Sequence, residues 1–294
     1  MKETKIKLEH IVELNHDHVK IKNPDVVLQK LNAIVNGGKD HLQVIADYDR
    51  TLTKHHVDGV PAMSSFGVFE KKCPNLPEDY IKESAMLTAK YHPIELDPSL
   101  SIEEKIPFME KWWAESKVLM QTIEFNSQDI KVAVNEAKVP FRDGCEEALL
   151  RLSDCNVPVL VFSAGFGNVV LETLKHEKIY HPNMHVISNF IKFDGTKCLG
   201  FQGEMIHIYN KNQHAVLNTT YFEELIEREN VILLGDSLGD ASMSDGIPHG
   251  TVLKVGFLNT KTERALPDYM ESFDIVLIDD QTMDVFNAIL RHVL

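Results

Sequence analysis

The stretch from residue 231 to residue 240, with the sequence VILLGDSLGD, constrains the fold more than any other part of the chain. Its apolar half predicts a buried strand, which ends in two acids held among glycines. An apolar run at residues 42–46 likewise ends in an acidic pair, Asp47 and Asp49. Acids at the carboxyl ends of buried strands are typical of parallel sheets, whose ligands bind beyond those ends. For the second pair alone a solvated acidic turn is the stronger interpretation, but the buried strand before it favours a functional site.

Strands and helices alternate along most of the chain. A leading helix is predicted where Asn23 and Pro24 suit the first helical positions and Gly37 stops the apolar periodicity. We predict strands at residues 42–46, 157–162, 184–188, 231–234 and 251–255, helices at 144–153 and 167–176, and a hairpin-like stretch at 189–204. This alternation predicts an α/β fold with a doubly wound parallel sheet.

The segment from residue 54 to residue 140 differs from the rest of the chain in composition and in hydrophobic periodicity. It is rich in lysine and glutamate and has helical periodicity, with a predicted capping box at Ser101 and Glu104. We therefore expect two units. Residues 1–53 and 141–294 form the core, and residues 54–140 form a helical domain inserted after the first core strand.

Two further features accompany the acidic strand ends. Ser163, Ala164 and Gly165 follow an apolar run and precede a predicted helix, so a loop here can direct a hydroxyl group and amide N–H groups at an anion. An ordinary strand-to-helix turn explains these residues equally well. Lys211, taken alone, is best interpreted as a surface charge.

Composition limits the partners and the compartment. The formal net charge of −14 disfavours a nucleic-acid polymer but not a small phosphorylated molecule held in a local site. No apolar run is long enough to cross a membrane, and no signal-peptide pattern begins the chain. The four cysteines lack metal-site spacing and are expected to be reduced thiols. We expect a monomeric cytoplasmic protein without a membrane partner.

The four features, in this order, resemble the motifs of the haloacid dehalogenase-like superfamily. Its DxDxT motif, strand-end serine, lysine and GDxxxD motif correspond to residues 47–51, Ser163, Lys211 and residues 235–240. The resemblance implies that Asp47 attacks phosphorus to form an aspartyl-phosphate. It also implies that Asp49 protonates the departing ester oxygen and later activates water, so that one displacement becomes two easier ones.

The same resemblance implies a Mg²⁺ site and a phosphate site. The Asp47 carboxylate, the Asp49 main-chain carbonyl and Asp236 would hold the metal, which prefers oxygen ligands, and Asp240 would support them from outside. The groups expected to stabilise the phosphate oxygens are Ser163, Lys211 and the amides of Ala164 and Gly165. An acid at position 49 favours ester hydrolysis, because an alkoxide leaving group needs a proton.

Several longer segments resemble the cytosolic 5'-nucleotidase III family. They are residues 91–98, 103–109, 112–116, 162–165, 254–259 and 269–276. The resemblance implies a cap that closes over the nucleotide, with Glu95 hydrogen-bonded to the base, Ser116 in contact with base or ribose, and Trp113 as a stacking surface. The family resemblance associates tyrosine at this place with the pyrimidine-specific branch and tryptophan with the branch acting on 7-methylguanosine monophosphate, so Trp112 and Trp113 favour the latter. Tryptophan also stacks well on a cationic base. Helix packing is the alternative role for Trp112 and Trp113.

The expected activity is a magnesium-dependent 5'-nucleotidase that hydrolyses pyrimidine nucleotides such as CMP and UMP, together with 7-methylguanosine monophosphate, and has some phosphotransferase activity. Residues 54–65 depart from the family pattern, which leaves base preference and cap closure open. The alternatives are a phosphatase for another small monoester such as phosphoserine or a sugar phosphate, a phospho-acceptor signalling module, and an inactive nucleotide binder.

Overall fold

A computed structural model describes residues 5–97, 99–211, 225, 227–245, 250–260 and 262–294. The α-helices of these residues are α1 (Pro24–Gly37), α2 (Ser65–Lys72), α3 (Glu78–Glu95), α4 (Ile102–Met120), α5 (Ser127–Ala137), α6 (Cys145–Asp154), α7 (Gly167–His176), α8 (Thr262–Ser272) and α9 (Asp284–Val293). The strands are β1 (Val19–Ile21), β2 (Leu42–Ala46), β3 (His56–Val57), β4 (Val60–Pro61), β5 (Val159–Phe166), β6 (Met184–Asn189), β7 (Ile191–Asp194), β8 (Lys197–Phe201), β9 (Asn230–Gly235), β10 (Thr251–Leu258) and β11 (Ile275–Ile278). None of these helices combines the length and the apolar character that a membrane span needs.

Seven strands form the main sheet in the order β1-β11-β10-β9-β2-β5-β6. Its pairs are parallel except at the edge, where β1 runs antiparallel to β11. Both faces of the sheet are covered by apolar side chains. Val44 and Ala46 of β2 pack in one apolar cluster and Ile45 packs in another, because successive side chains of a strand point to opposite faces. The predicted doubly wound α/β class is therefore confirmed, while β1 and β11 are strands that the sequence did not predict.

The leading helix forms as predicted. Asn23 caps α1 by accepting a hydrogen bond from the amide of Val26, and Pro24 occupies the first position, where its missing N–H is not needed. Leu31 and Ile34 are fully buried on one face of the helix. The helix stops before Gly38, whose positive φ of 68° suits glycine.

The sequence predicts a loop at residues 163–165, but the structure places these small residues within β5. The prediction of a loop was therefore wrong. The pairing of β5 with β6 shifts register between Phe162 and Phe166, which is the mark of a bulge that adds residues without ending the strand. Helix α7 then begins at Gly167, and β7 pairs antiparallel with β8 as the predicted hairpin.

The segment from 54 to 140 leaves and rejoins the sheet at one place. Thr53 bridges to Phe141, and the amide of Lys54 donates to the carbonyl of Pro140 at 2.8 Å. Between these points lie β3, β4 and helices α2 to α5, in which α3 packs along α4 and α2 along α5. Apolar residues of this segment share one cluster with Phe166 and Val169 of the β5–α7 junction.

A loop at residues 279–282 forms hydrogen bonds with both chain connections between the segment 54–140 and the sheet. The side-chain oxygen of Gln281 accepts the amide of His55 at 2.9 Å, and the main-chain carbonyl of Gln281 accepts the amide of Asp143 at 3.1 Å. The segment's two connections are thus joined through residues from near the far end of the sequence.

Candidate active site

Three carboxylates meet where β2 and β9 end side by side. The amide of Asp47, directly after β2, donates to the carbonyl of Leu234 in β9 at 3.0 Å. This pairing places Asp47 next to Asp236, which directly follows β9. One carboxylate oxygen from each of Asp47, Asp236 and Asp240 lies within 4.8 Å of the others.

Lys211 lies between two of these acids and is not a surface charge. Its side chain is 2% exposed, and its Nζ lies 2.6 Å from Asp47 Oδ1 and 2.5 Å from Asp240 Oδ1. Burial alone would lower the pKa of Lys211, but the carboxylates of Asp240 and Asp47 outweigh it and raise that pKa above its ordinary value. The ammonium group therefore stays charged and orients the two carboxylates.

Asp240 uses both carboxylate oxygens to support the site. Its Oδ2 accepts the amides of Asp236 and Ser237 at 3.1 and 2.9 Å, and the Ser237 hydroxyl at 2.8 Å. Gly235 makes this approach possible, since a Cβ there would stand 2.3 Å from Cβ of Asp240. One carboxylate oxygen of Asp240 thus binds Lys211, and the other accepts hydrogen bonds from the turn after β9.

The site carries more negative than positive charge. Burial raises the pKa of Asp47 to about 7, with Lys211 opposing this shift and Asp240 adding to it. Burial, followed by the charges of Asp47 and Asp240, raises the pKa of Asp236 well above its ordinary value. A divalent cation would offset this excess, and its preference for oxygen ligands matches the carboxylates of Asp47 and Asp236. The cluster fits a metal ion such as Mg²⁺.

Asp49 is held by Ser65, which was not among the residues predicted for the site. The amide of Ser65 donates to Asp49 Oδ1 at 2.7 Å, and the Ser65 hydroxyl donates to Oδ2 at 2.6 Å. Burial raises the pKa of Asp49, and these two hydrogen bonds oppose the shift. The pair Ser64-Ser65 signals the start of α2, but nothing in that signal identifies Asp49 as the partner.

The small-residue run of β5 lies at the same sheet edge, next to β2. Ser163 is buried, and its Oγ accepts the amide of Gly165 at 3.0 Å. The carbonyls of Ala164 and Gly165 accept hydrogen bonds from side chains of β6. A Cβ on Gly165 would stand 3.0 Å from Asp49 Oδ2, so this run borders Asp49 directly.

Buried Arg142 is a second residue that the sequence did not indicate. Its Nε donates to the carbonyl of Thr51 at 2.8 Å, and its terminal nitrogens donate to the carbonyls of Arg50 and Asp280 and to the side chain of Asn259. Burial lowers the pKa of Arg142 to about 10. The guanidinium group ties the turn after β2 to the C-terminal part of the chain.

The residues predicted to recognise a base lie on α3 and α4. Glu95 ends α3, where burial raises its pKa against the nearby charges of Arg50 and Lys105. Its carbonyl accepts the hydroxyl of Tyr209 at 3.0 Å, which connects α3 to the segment that carries Lys211.

The two tryptophans have separate surroundings. Trp113 is 9% exposed, with ring centroids 5.3 Å from Phe66 and 5.6 Å from Phe201. Trp112 stacks on Tyr91 with centroids 5.9 Å apart. Ser116 is partly exposed and lies one turn after Trp113 on α4. The structure thus brings Lys211 into direct contact with Asp47 and Asp240, whereas the predicted stacking ring packs among other aromatic side chains.

Comparison with known proteins shows the family to which this chain is similar. Residues 50–294 match the pyrimidine 5'-nucleotidase (UMPH-1) family. A 7-methylguanosine phosphate-specific 5'-nucleotidase of Drosophila melanogaster is 40% identical over 290 residues, which cover 97% of this chain and 90% of that protein. The solved structure of cytosolic 5'-nucleotidase IIIB bound to cytidine is 39% identical, with a TM-score of 0.93 and coverage of 98% of this chain and 97% of that one. A substrate-bound phosphoserine phosphatase shares the fold, with a TM-score of 0.53 at 18% identity.

Proposed function

Since the chain belongs to the pyrimidine 5'-nucleotidase family, within the haloacid dehalogenase-like superfamily, we propose that it is a magnesium-dependent 5'-nucleotidase acting through an aspartyl-phosphate on Asp47. The single observation that carries the proposal is the pairing of buried Lys211 with Asp47 and Asp240 beside Asp236. This arrangement holds a carboxylate nucleophile next to a fixed cation, which phosphoryl transfer requires because the phosphate is itself negative.

Asp47 performs the first displacement in this proposal. One carboxylate oxygen attacks phosphorus, and the electron pair of the breaking ester bond goes to the nucleoside oxygen. Lys211 holds Asp47 in place and offsets the charge that builds up on the transferred group, to which Ser163 and the amides of Ala164 and Gly165 also contribute. Asp49 gives its proton to the departing oxygen and recovers one from the water that cleaves the aspartyl-phosphate.

The Asp47 carboxylate, the Asp49 carbonyl and Asp236 would hold Mg²⁺. When bound, the ion neutralises phosphate charge and orients the phosphate for in-line attack. Asp240 stays outside this set, because its oxygens already bind Lys211 and the turn after β9.

The substrate range belongs to the same proposal. Residues 54–140 form a cap over the core, made of residues 1–53 and 141–294, and the cap supplies Glu95, Ser116 and Trp113 to the base and ribose. CMP, UMP and 7-methylguanosine monophosphate are the proposed substrates, since the relatives are named for pyrimidine and 7-methylguanosine nucleotides. Nucleosides also accept the phosphoryl group in place of water. The enzyme is a cytoplasmic monomer with no nucleic-acid or membrane partner.

The test is phosphate release from CMP, UMP, 7-methylguanosine monophosphate, AMP and phosphoserine, measured with Mg²⁺ and again after chelation. We expect release from the first three, loss on chelation, and no release by Asp47→Asn. Release from phosphoserine alone would refute the nucleotidase proposal. Activity that survives chelation unchanged would refute the role of the metal.

A further inference from the structure

Ser65 makes two hydrogen bonds to Asp49 from the first residue of α2, in the segment that we propose as the cap. Its amide and hydroxyl reach different oxygens of the Asp49 carboxyl group, at 2.7 and 2.6 Å. We propose that Ser65 is a positioning residue that orients the Asp49 carboxyl group for both of its proton transfers. The inference rests on the proposed acid and base role of Asp49 and assigns it a partner.

The surroundings of Ser65 leave its hydroxyl little freedom. Ser65 is 1% exposed. A Cβ built on Gly165 would stand 2.0 Å from the Ser65 hydroxyl oxygen and 3.1 Å from its Cβ. The carbonyl of Gly165 is in turn fixed by the hydroxyl of Ser188 at 2.9 Å. The Ser65 hydroxyl is thus confined between Asp49 and β5, and glycine at position 165 makes room for it.

The two donors of Ser65 have different chemical capacities. An amide N–H can only donate, so the oxygen that it binds, Asp49 Oδ1, is kept as an acceptor. A hydroxyl can donate to a carboxylate and can also accept from a carboxylic acid. The Ser65 hydroxyl can therefore pair with Asp49 Oδ2 whether or not that oxygen carries the proton. This assigns Oδ2 as the oxygen that gives and takes the proton.

The proton balance follows from this assignment. In the first step the proton on Asp49 Oδ2 turns from the Ser65 hydroxyl to the nucleoside oxygen, the O–H bond at Oδ2 breaks as the proton is transferred, and the Ser65 hydroxyl turns to donate to the resulting carboxylate. In the second step a water proton goes to Oδ2 while the water oxygen binds phosphorus and the bond to Asp47 breaks. The Ser65 hydroxyl then turns back to accept.

The experiment compares Ser65→Ala with Ser64→Ala on two substrates. Ser64 caps the same helix through the amide of Gly67 at 3.3 Å and belongs to no hydrogen bond of Asp49 among the described residues, so it is a matched control. CMP has a leaving group that needs a proton. The substrate p-nitrophenyl phosphate has one that needs little help, and it carries no base for the cap to bind.

We expect Ser65→Ala to lower kcat for CMP by about tenfold to hundredfold, part of the roughly 10²–10⁴-fold that a positioned acid contributes. The KM for CMP should change little, and kcat for p-nitrophenyl phosphate should fall less than about threefold, because acid assistance to that leaving group is weak. Ser64→Ala should match the wild type on both. The ratio of the two kcat values comes from one preparation, so it does not depend on the folded fraction. If Ser65→Ala does not fold, Ser65→Cys, with a weaker donor, replaces it.

An equal loss on both substrates would overturn the positioning role, as would no loss on CMP. Failure of the proposed function looks different, because the wild-type protein would then hydrolyse p-nitrophenyl phosphate but no nucleoside monophosphate.

Discussion

Replacing Arg142 with methionine removes a buried cation whose partners are mainly main-chain oxygens. The guanidinium group binds the carbonyls of Thr51, Arg50 and Asp280, and it lies 3.9 Å from the ring centroid of Phe257. Methionine has a similar length and no donor, so all three carbonyls lose this partner in a protein interior. The loss should appear mainly as reduced stability.

The size of the effect follows from these contacts. Hydrogen bonds from a charged donor contribute about 1.5–3 kcal/mol each, but removing the cation also removes its desolvation cost. A buried acceptor left without its donor costs about 1–3 kcal/mol, so losing these bonds, less the desolvation cost of the cation, should lower the free energy of unfolding by about 3–5 kcal/mol. With an m-value near 3 kcal/mol/M in urea, the midpoint should fall by roughly 1–2 M.

Urea unfolding followed by tryptophan fluorescence measures this midpoint. Arg151→Met is the control, because Arg151 pairs with Glu147 only across one helical turn at the surface, and such pairs contribute about 0.3–0.5 kcal/mol. Arg142→Lys keeps a charge but lacks the planar fork, so its midpoint should lie between those of the wild type and Arg142→Met. Equal midpoints for Arg142→Met and Arg151→Met would show that the buried hydrogen bonds of Arg142 do not stabilise the fold more than a surface ion pair does.

Three further predictions concern the site. Lys211→Met should lower kcat for CMP by about 10²–10³-fold, measured as phosphate release, because it removes the fixed cation beside Asp47, the proposed nucleophile; an unchanged kcat would contradict the role proposed for Lys211. Mg²⁺ at about 100 times its dissociation constant should stabilise the fold by about 2.7 kcal/mol, seen as a rise in Tm that Asp236→Asn reduces; an equal rise in both proteins would exclude Asp236 as a ligand. Because burial raises the pKa of Glu95, its carboxylate should become neutral at a higher pH than an ordinary glutamate does. The KM for the cationic 7-methylguanosine monophosphate should therefore rise as pH falls through that pKa, and Glu95→Gln, measured over the same pH range, should lose this dependence.

The parts of the fold that local sequence determines were predicted well. The Asn23 cap, the apolar faces of α1 and the strand before Asp47 depend on neighbouring residues, and each is confirmed. The sheet edge at which Asp236 and Asp47 meet also follows from strand order, because the carboxyl ends of parallel strands share one edge. The proximity of these two acids was thus implied by the sequence pattern.

Contacts across long sequence distances were not accessible in this way. Ser65 reaches Asp49 through a turn and a short hairpin, and Arg142 reaches Asp280 over more than a hundred residues. The burial of Lys211 depends on acids from two other strand ends, so its local sequence indicated a surface residue. The bulge in β5 was missed because small residues suit both a loop and a bulged strand.

The loop at residues 279–282 also bears on the order in which the protein is made. Domains fold during synthesis from the N-terminal side, and all the acids and the lysine of the site precede this loop in the sequence. Yet Asp280 binds Arg142, and Gln281 fastens the connections at residues 55 and 143. A nascent chain therefore carries the acids and the lysine of the candidate site before the ribosome has supplied the loop that links the two connections of residues 54–140.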